Sequence, residues 1–105
     1  IIDKFYLATL YKNEGQLLLI KNEKFKFLKN LLIFPMKEIS QSDSLLKSRK
    51  KLNFKMSNMN MNISIDFSYI KNKPKNGMWI EKTKLENYMI PTFTKKIFAS
   101  VKHNL

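Results

Sequence analysis

The clearest periodic signal in the chain is the run in which Met59, Met61, Ile63, Ile65, Phe67 and Tyr69 alternate with Asn60, Asn62, Ser64, Asp66 and Ser68. A period of two predicts a long strand with one buried face. Leu52, Phe54 and Met56 alternate in the opposite phase just before it. The register must therefore break near Met56-Ser57-Asn58, and a turn or bulge belongs there. At the start of the chain, Phe5, Leu7, Thr9 and Tyr11 share one strand face and Tyr6, Ala8 and Leu10 the other. Both faces look buried, which predicts a central strand. Lys12-Asn13-Glu14-Gly15 has turn chemistry, with Gly able to supply a positive φ, and Gln16 to Lys21 forms a second apolar run, so the chain opens with a hairpin.

Asn22 to Asn30 reads as a basic loop carrying Phe25 and Phe27; Leu28 and Leu31 to Phe34 resume the core, and Pro35 ends it. Between Ile39 and Lys51 the apolar stripe is thin. Ser40, Ser42 or Asp43 can cap a short helix holding Leu45, Leu46 and Arg49, which runs into the basic cluster Lys47, Arg49, Lys50 and Lys51. After the long strand comes a basic loop, Lys71 to Gly77, and a short strand, Met78 to Glu81, in which Trp79 is expected to fill the core. Thr83-Lys84-Leu85-Glu86 matches a capping box, predicting a short helix that ends by Ile90. Pro91 suits the first turn of another helix, with Phe93, Ile97, Phe98 and Val101 on its buried face and Thr94, Lys95 and Lys102 mostly away from it. Strands, a weak helix, strands and then helices make an α+β protein with a mixed or antiparallel sheet backed by helices.

At 105 residues the chain has room for one small domain and one modest core. Twenty Lys+Arg against eight Asp+Glu give a net charge of +12, which favours a polyanionic partner such as nucleic acid or an anionic membrane face. Nineteen of those twenty are Lys, and Lys, Ile and Asn together occupy 41 of 105 positions, a bias expected of an AT-rich genome. Part of the charge is therefore compositional. With Arg49 as the single arginine, bidentate readout of base edges by basic side chains is nearly absent. No run approaches the roughly 20 apolar residues of a membrane span, and no signal peptide is present, so a soluble intracellular protein is expected. The chain begins Ile1-Ile2 without Met, which suggests a piece of a longer protein.

Candidate chemistry is sparse. There is no cysteine to act as nucleophile or to ligate zinc or an iron–sulfur centre, and the lone His103 cannot build a multi-histidine metal site. Gly15 and Gly77 are isolated, so no Gly-rich phosphate cradle exists. Glu81 and Glu86 suit structural roles at a helix start. Met59 and Met61 read as packing residues, whereas Met56 at the register break is equally suited to packing or to contact with a base. The loop lysines Lys71, Lys73 and Lys75 and the cluster from Lys47 to Lys51 suit either a phosphate clamp or a solvated surface.

Three segments in order resemble one family. Phe27-Leu28-Lys29-Asn30-Leu31-Leu32-Ile33-Phe34-Pro35 resembles a segment of the Nudix-like C-terminal domain of bacterial adenine DNA glycosylases of the MutY type. Trp79-Ile80, Leu85-Glu86, Ile90-Pro91-Thr92 and Lys95-Lys96-Ile97 look like that domain's tail, and Phe54-Lys55-Met56-Ser57-Asn58 lies over its His-any-Phe-Ser-His loop. The resemblance implies a Nudix-like mixed sheet flanked by helices over residues 1–105. It implies recognition of 8-oxoguanine opposite adenine in duplex DNA during base excision repair, with Ser57 reaching the lesion and Met56 and Asn58 beside it. Lys55, Arg49, Lys50, Lys73 and Lys75 are the phosphate contacts expected around them. By the same resemblance the catalytic groups and a 4Fe-4S cluster belong to an N-terminal domain outside this chain, which would be this domain's partner in a monomeric, bacterial, cytoplasmic and nucleoid-associated enzyme. Phe54, Met56 and Asn58 depart from His, Phe and His, and Asn30 from Gly, so Ser57 alone is identical in the recognition loop and weaker discrimination is expected. A Nudix hydrolase of oxidised nucleotides is the alternative, although Lys37 to Leu52 carries only Glu38 and Asp43 where that class needs a Glu-rich metal helix. A Nudix-like module for protein interaction or general nucleic-acid binding is the third reading.

Overall fold

The structure is a computed structural model describing residues 1–46 and 50–105. Its centre is β1 (Ile2–Asn13), which runs parallel to β6 (Met59–Tyr69) along its whole length, from Ile2 opposite Met59 to Lys12 opposite Tyr69. On its other edge β1 pairs antiparallel with β2 (Gln16–Lys21) at the hairpin and with β4 (Met36–Glu38) further down. The strand is therefore central, and the sheet is mixed. β5 (Lys50–Met56) lies antiparallel outside β6, while β2 also pairs with β3 (Leu32–Ile33) and β7 (Gly77–Glu81). The hairpin turn has positive φ at Glu14 (49°) and Gly15 (79°), the backbone pattern of a two-residue type I′ turn, whose twist matches the strands it joins.

One face of the sheet is buried. Tyr6, Ala8 and Leu10 share it with Met61, Ile63 and Ile65, and α2 (Thr92–Val101) packs there through Phe93, Ile97, Phe98 and Val101, the stripe predicted for it. Full burial of such a side chain contributes about 1.5–3 kcal/mol, so these four anchor the helix. Thr94 is buried too, contrary to expectation. It lies four residues before Phe98 and seven before Val101, on their side of the helix, and its hydroxyl donates to the Leu32 carbonyl at 2.8 Å.

Several other expectations are corrected. Phe5, Leu7, Thr9 and Tyr11 are only half-buried, because the cover on their face is the single turn α1 (Gln41–Ser44). Ser40 caps that turn by accepting from the Asp43 N–H at 3.1 Å, but Leu45 and Leu46 lie exposed beyond it. Pro35 does not end the sheet, since β4 follows immediately and the Pro35 carbonyl accepts from the Thr9 N–H at 2.9 Å. Leu31 is exposed rather than core. Phe67 and Tyr69 are also exposed, past Ile65, where the described part of β5 begins its pairing; Lys12 Nζ sits 5.5 and 5.4 Å from their ring centres. Ile80 fills the core and Trp79 is half-buried. The Thr83 capping box does not form: Lys84 N–H bonds to Glu81 O, and Leu85–Asn87 make one 3₁₀ turn without a side-chain cap, with Leu85 plunged into the core. Among the described residues no helix is long and apolar enough to cross a membrane.

Candidate nucleic-acid interface

The predicted break in register is a two-residue turn. Met56 pairs with Met59, and Ser57 and Asn58 form the exposed tip between β5 and β6. Ser57 has φ +56°, a left-handed conformation that costs an L-residue about 1–2 kcal/mol. Glycine is the default at a first turn position with positive φ, so a serine here carries a conformational cost and leaves its hydroxyl at the surface. The turn is pinned from below: the Asn58 carbonyl accepts from the Ile2 N–H at 2.9 Å, continuing the parallel pairing of β1 and β6.

Behind the turn the floor is apolar and aromatic. Met56 and Met59 are half-buried against the core, and the Tyr6 hydroxyl donates to Met59 Sδ at 3.7 Å. Burial and, second, the nearby Glu38 carboxylate raise the Tyr6 hydroxyl above its ordinary pKa of 10.0, so it is a neutral donor at physiological pH. Phe25 and Phe27 stack on each other with ring centres 5.0 Å apart, and both meet Tyr6 edge-on. Phe27 touches Phe93 at 6.4 Å, and Phe93 meets Phe54 at 5.2 Å.

Asn22 fixes the loop that presents Phe25 and Phe27. Its side chain is buried, with Nδ2 donating to Phe27 O at 2.6 Å and Leu28 O at 3.1 Å, and 3.3 Å from Phe25 O. Its Oδ1 accepts from the N–H groups of Lys24 and Phe25, and its main chain pairs with Leu31 O and Asn30 N–H. This network holds Leu28 (φ 51°) and Asn30 (φ 67°) in left-handed conformations. Sequence reading identified the loop and its rings but not its organiser, although an Asn placed where a strand ends and a loop begins is a recognised signal for side-chain to main-chain bonding.

The expected phosphate contacts are not all brought together. Lys55 is exposed beside the turn. Lys50 stands at the far end of β5, about 20 Å away at the usual rise per strand residue. Arg49 lies outside the described residues, as do Lys47 and Ser48. Lys73 and Lys75 are exposed in the loop before β7, which starts beside the C-terminal end of β2. β2 is antiparallel to β1, so that loop leaves β2 in the direction of the Ser57 end, but the hairpin register sets its foot at Ile20 about level with Thr9, as far from the turn as Lys50, which is level with Ala8. Nearer the turn, Lys24 of the Asn22 loop and Lys96 of α2 each lie over a ring, Phe25 and Phe54, of the aromatic floor, and Lys26, Lys29 and Lys95 are exposed on the same two segments. The opposite end is mixed, with Lys84 paired to Glu81 at 3.6 Å and Lys102 to Glu86 at 2.9 Å. No group of three His, Asp or Glu placed to hold a metal ion occurs among the described residues; Glu38 pairs with Lys4 at 3.4 Å. A cavity of about 390 Å³ lies on the half-covered face, lined by Phe5, Ser44, Leu45, Asn53, Asn62 and Ser64 among others, and is distinct from the turn.

No family model and no curated protein matches the sequence. Solved structures do resemble the fold. A MutT protein from Methanosarcina mazei Go1 has a TM-score of 0.75 at 14% identity, over 98% of this chain and 96% of that one. A MutT Nudix hydrolase from Burkholderia pseudomallei has a TM-score of 0.71 at 8% identity, over 96% and 99%. The C-terminal domain of mouse MUTYH, solved in complex with human PCNA, has a TM-score of 0.66 at 13% identity, over 96% and 88%. At these identities the likeness is one of architecture, and the mixed sheet with its flanking helices is a Nudix-like fold.

Proposed function

We propose that this chain recognises oxidised guanine opposite adenine in duplex DNA, as the lesion-reading domain of an adenine DNA glycosylase. The observation that carries the reading is Ser57: the one residue shared with the family's recognition loop stands at the exposed tip of a turn, in a positive-φ conformation, at the basic end of the sheet. A hydroxyl both donates and accepts, which suits a base whose oxidation converts an acceptor edge into a donor. Met56 and Asn58 flank it, the first on the apolar floor and the second with its main chain committed to Ile2. Base excision belongs, in this reading, to a separate catalytic domain; a chain without cysteine has no ligands for a cysteine-bound iron–sulfur cluster.

The hydrolase reading draws on the MutT neighbours, but fold does not fix function. Magnesium-dependent hydrolysis needs several carboxylates converging on the ion, and α1 offers Asp43 on a single helical turn. Binding of the chain to duplexes containing 8-oxoguanine or guanine opposite adenine tests the proposal. Tighter binding to the lesion duplex, with the gap narrowed by Ser57→Ala, is expected. Equal affinity of the native chain for the two duplexes sinks it.

A further inference from the structure

Phe25, Phe27, Phe93 and Phe54 form a continuous row of ring contacts running from the Asn22 loop to the end of β5, and an ammonium rests on each end of the row. Lys24 Nζ lies 5.2 Å from the centre of the Phe25 ring, and Lys96 Nζ lies 5.2 Å from that of Phe54. Both side chains are exposed, so each has one face on a ring and the rest in water. Phe54 is three residues before Ser57 on the strand that ends in the turn, and Phe25 touches Tyr6, whose hydroxyl meets Met59 on the strand that leaves it. The two ammonium groups thus stand at the two ends of the aromatic row that backs the Ser57 turn, on the face of the sheet that α2 covers.

We infer that Lys24 and Lys96 are the principal phosphate-gripping pair of this domain, seated on the duplex backbone around the base presented to Ser57. Charge complementarity selects the occupant, because Lys24, Lys55 and Lys96 are exposed while the carboxylates of Glu38, Glu81 and Glu86 are each taken up by another lysine. Contact with a ring restricts each lysine before binding, which lowers the entropy lost on ordering a long side chain at a phosphate. Lys50 stands farther along β5, and this grip adds to Lys55. It rests on the proposed DNA-binding reading but depends on phosphate alone, so it holds for undamaged duplex, where Ser57 is idle.

The test is the salt dependence of binding to an undamaged duplex. Each phosphate contact contributes about 0.9 to the slope of log affinity against log salt, so Lys24→Gln with Lys96→Gln should flatten the slope by about 1.8. Lys24→Arg with Lys96→Arg should restore it, showing that charge and not folding is measured. Lys12→Gln is the matched control, since Lys12 also rests on rings but at the far end of the sheet, and should leave the slope unchanged. An unchanged slope in the Gln pair, an equal loss with Lys12→Gln, or no binding of the native chain to duplex overturns the inference. So does a Gln pair that keeps its duplex binding but loses binding to phosphatidylserine vesicles. Failure of lesion discrimination with the slope change intact would overturn the Ser57 reading and leave this one standing.

Discussion

Replacing Asn22 with alanine should be the most damaging change at a polar position in this protein, and the cost can be worked from its partners. The amide has two protons for three nearby carbonyls, so the short bonds to Phe27 O and Leu28 O carry most of the donation and Phe25 O receives a weak share. With the two bonds accepted by Oδ1, four useful interactions disappear at about 0.5–1.5 kcal/mol each. Some of the released groups reach water, so a loss of about 3 kcal/mol is expected, or about 12–18 °C in Tm for a domain of this size. Urea denaturation should show this as a lower midpoint with the same slope. Asn22→Asp separates the two halves of the network: it keeps both accepted bonds but points a carboxylate at carbonyl oxygens. Burial and those oxygens raise its native pKa above the unfolded value, so at pH 7 it should be no more stable than Asn22→Ala. Below its raised native pKa the protonated carboxyl can donate one bond, and Asn22→Asp should then become the more stable of the two. A cost under about 1 kcal/mol for Asn22→Ala, or no pH-dependent crossing between the variants, would refute the assignment of Asn22 as organiser of the loop.

Ser57→Gly should raise stability by up to about 1 kcal/mol by relieving the positive φ, while removing the hydroxyl that the proposal needs, so a thermal midpoint that rises as the lesion preference falls is the expected pair of results. Thr94→Val keeps the helix shape but leaves the Leu32 carbonyl without its 2.8 Å donor, and denaturant titration should register a loss of about 1–2 kcal/mol. For Tyr6, a folded pKa above the unfolded 10.0 means that the stability of the neutral phenol is fully present below pH 10 and is lost as pH rises through the native value. Tyr6→Phe should remove that alkaline decline, and identical pH profiles between pH 9 and 11 would contradict the assignment.

The parts of the fold legible in sequence are those fixed by local periodicity. The opposite phases of Leu52–Phe54–Met56 and Met59–Met61–Ile63 place the turn at Ser57-Asn58 because a period of two cannot pass through a hairpin without declaring it. Gly15 marks its own turn for the same local reason. What periodicity does not contain is how far each partner extends. Phe67 and Tyr69 continue the alternation of β6 past Ile65, the last residue paired by the described part of β5, and although β1 still runs beside them the alternation does not say that the face above them is left uncovered. The parallel pairing of β1 with β6 spans more than fifty residues of sequence, and β4 is three residues long, too short to show any period. Thr83 fails as a cap because the motif describes a helix start, while the chain here uses Lys84 to close a turn on β7 and sends Leu85 into the core.

The candidate site divides along the same line. Ser57 is legible because it sits in a local motif at a local break, whereas the lysines around it are anonymous in a chain with nineteen of them. Counting charge ranks Lys50 and Lys24 alike; the fold separates them, leaving one at the far end of β5 and setting the other on a ring of the aromatic row behind the turn. In a sequence drifted toward lysine, an individual lysine gains meaning from what immobilises it. Here the immobilising groups are phenylalanines, two of them placed by the hydrogen bonds of Asn22, so on the proposed reading the grip of Lys24 on a phosphate traces to one buried amide. Loosening Asn22 should therefore weaken duplex binding without removing a single charge.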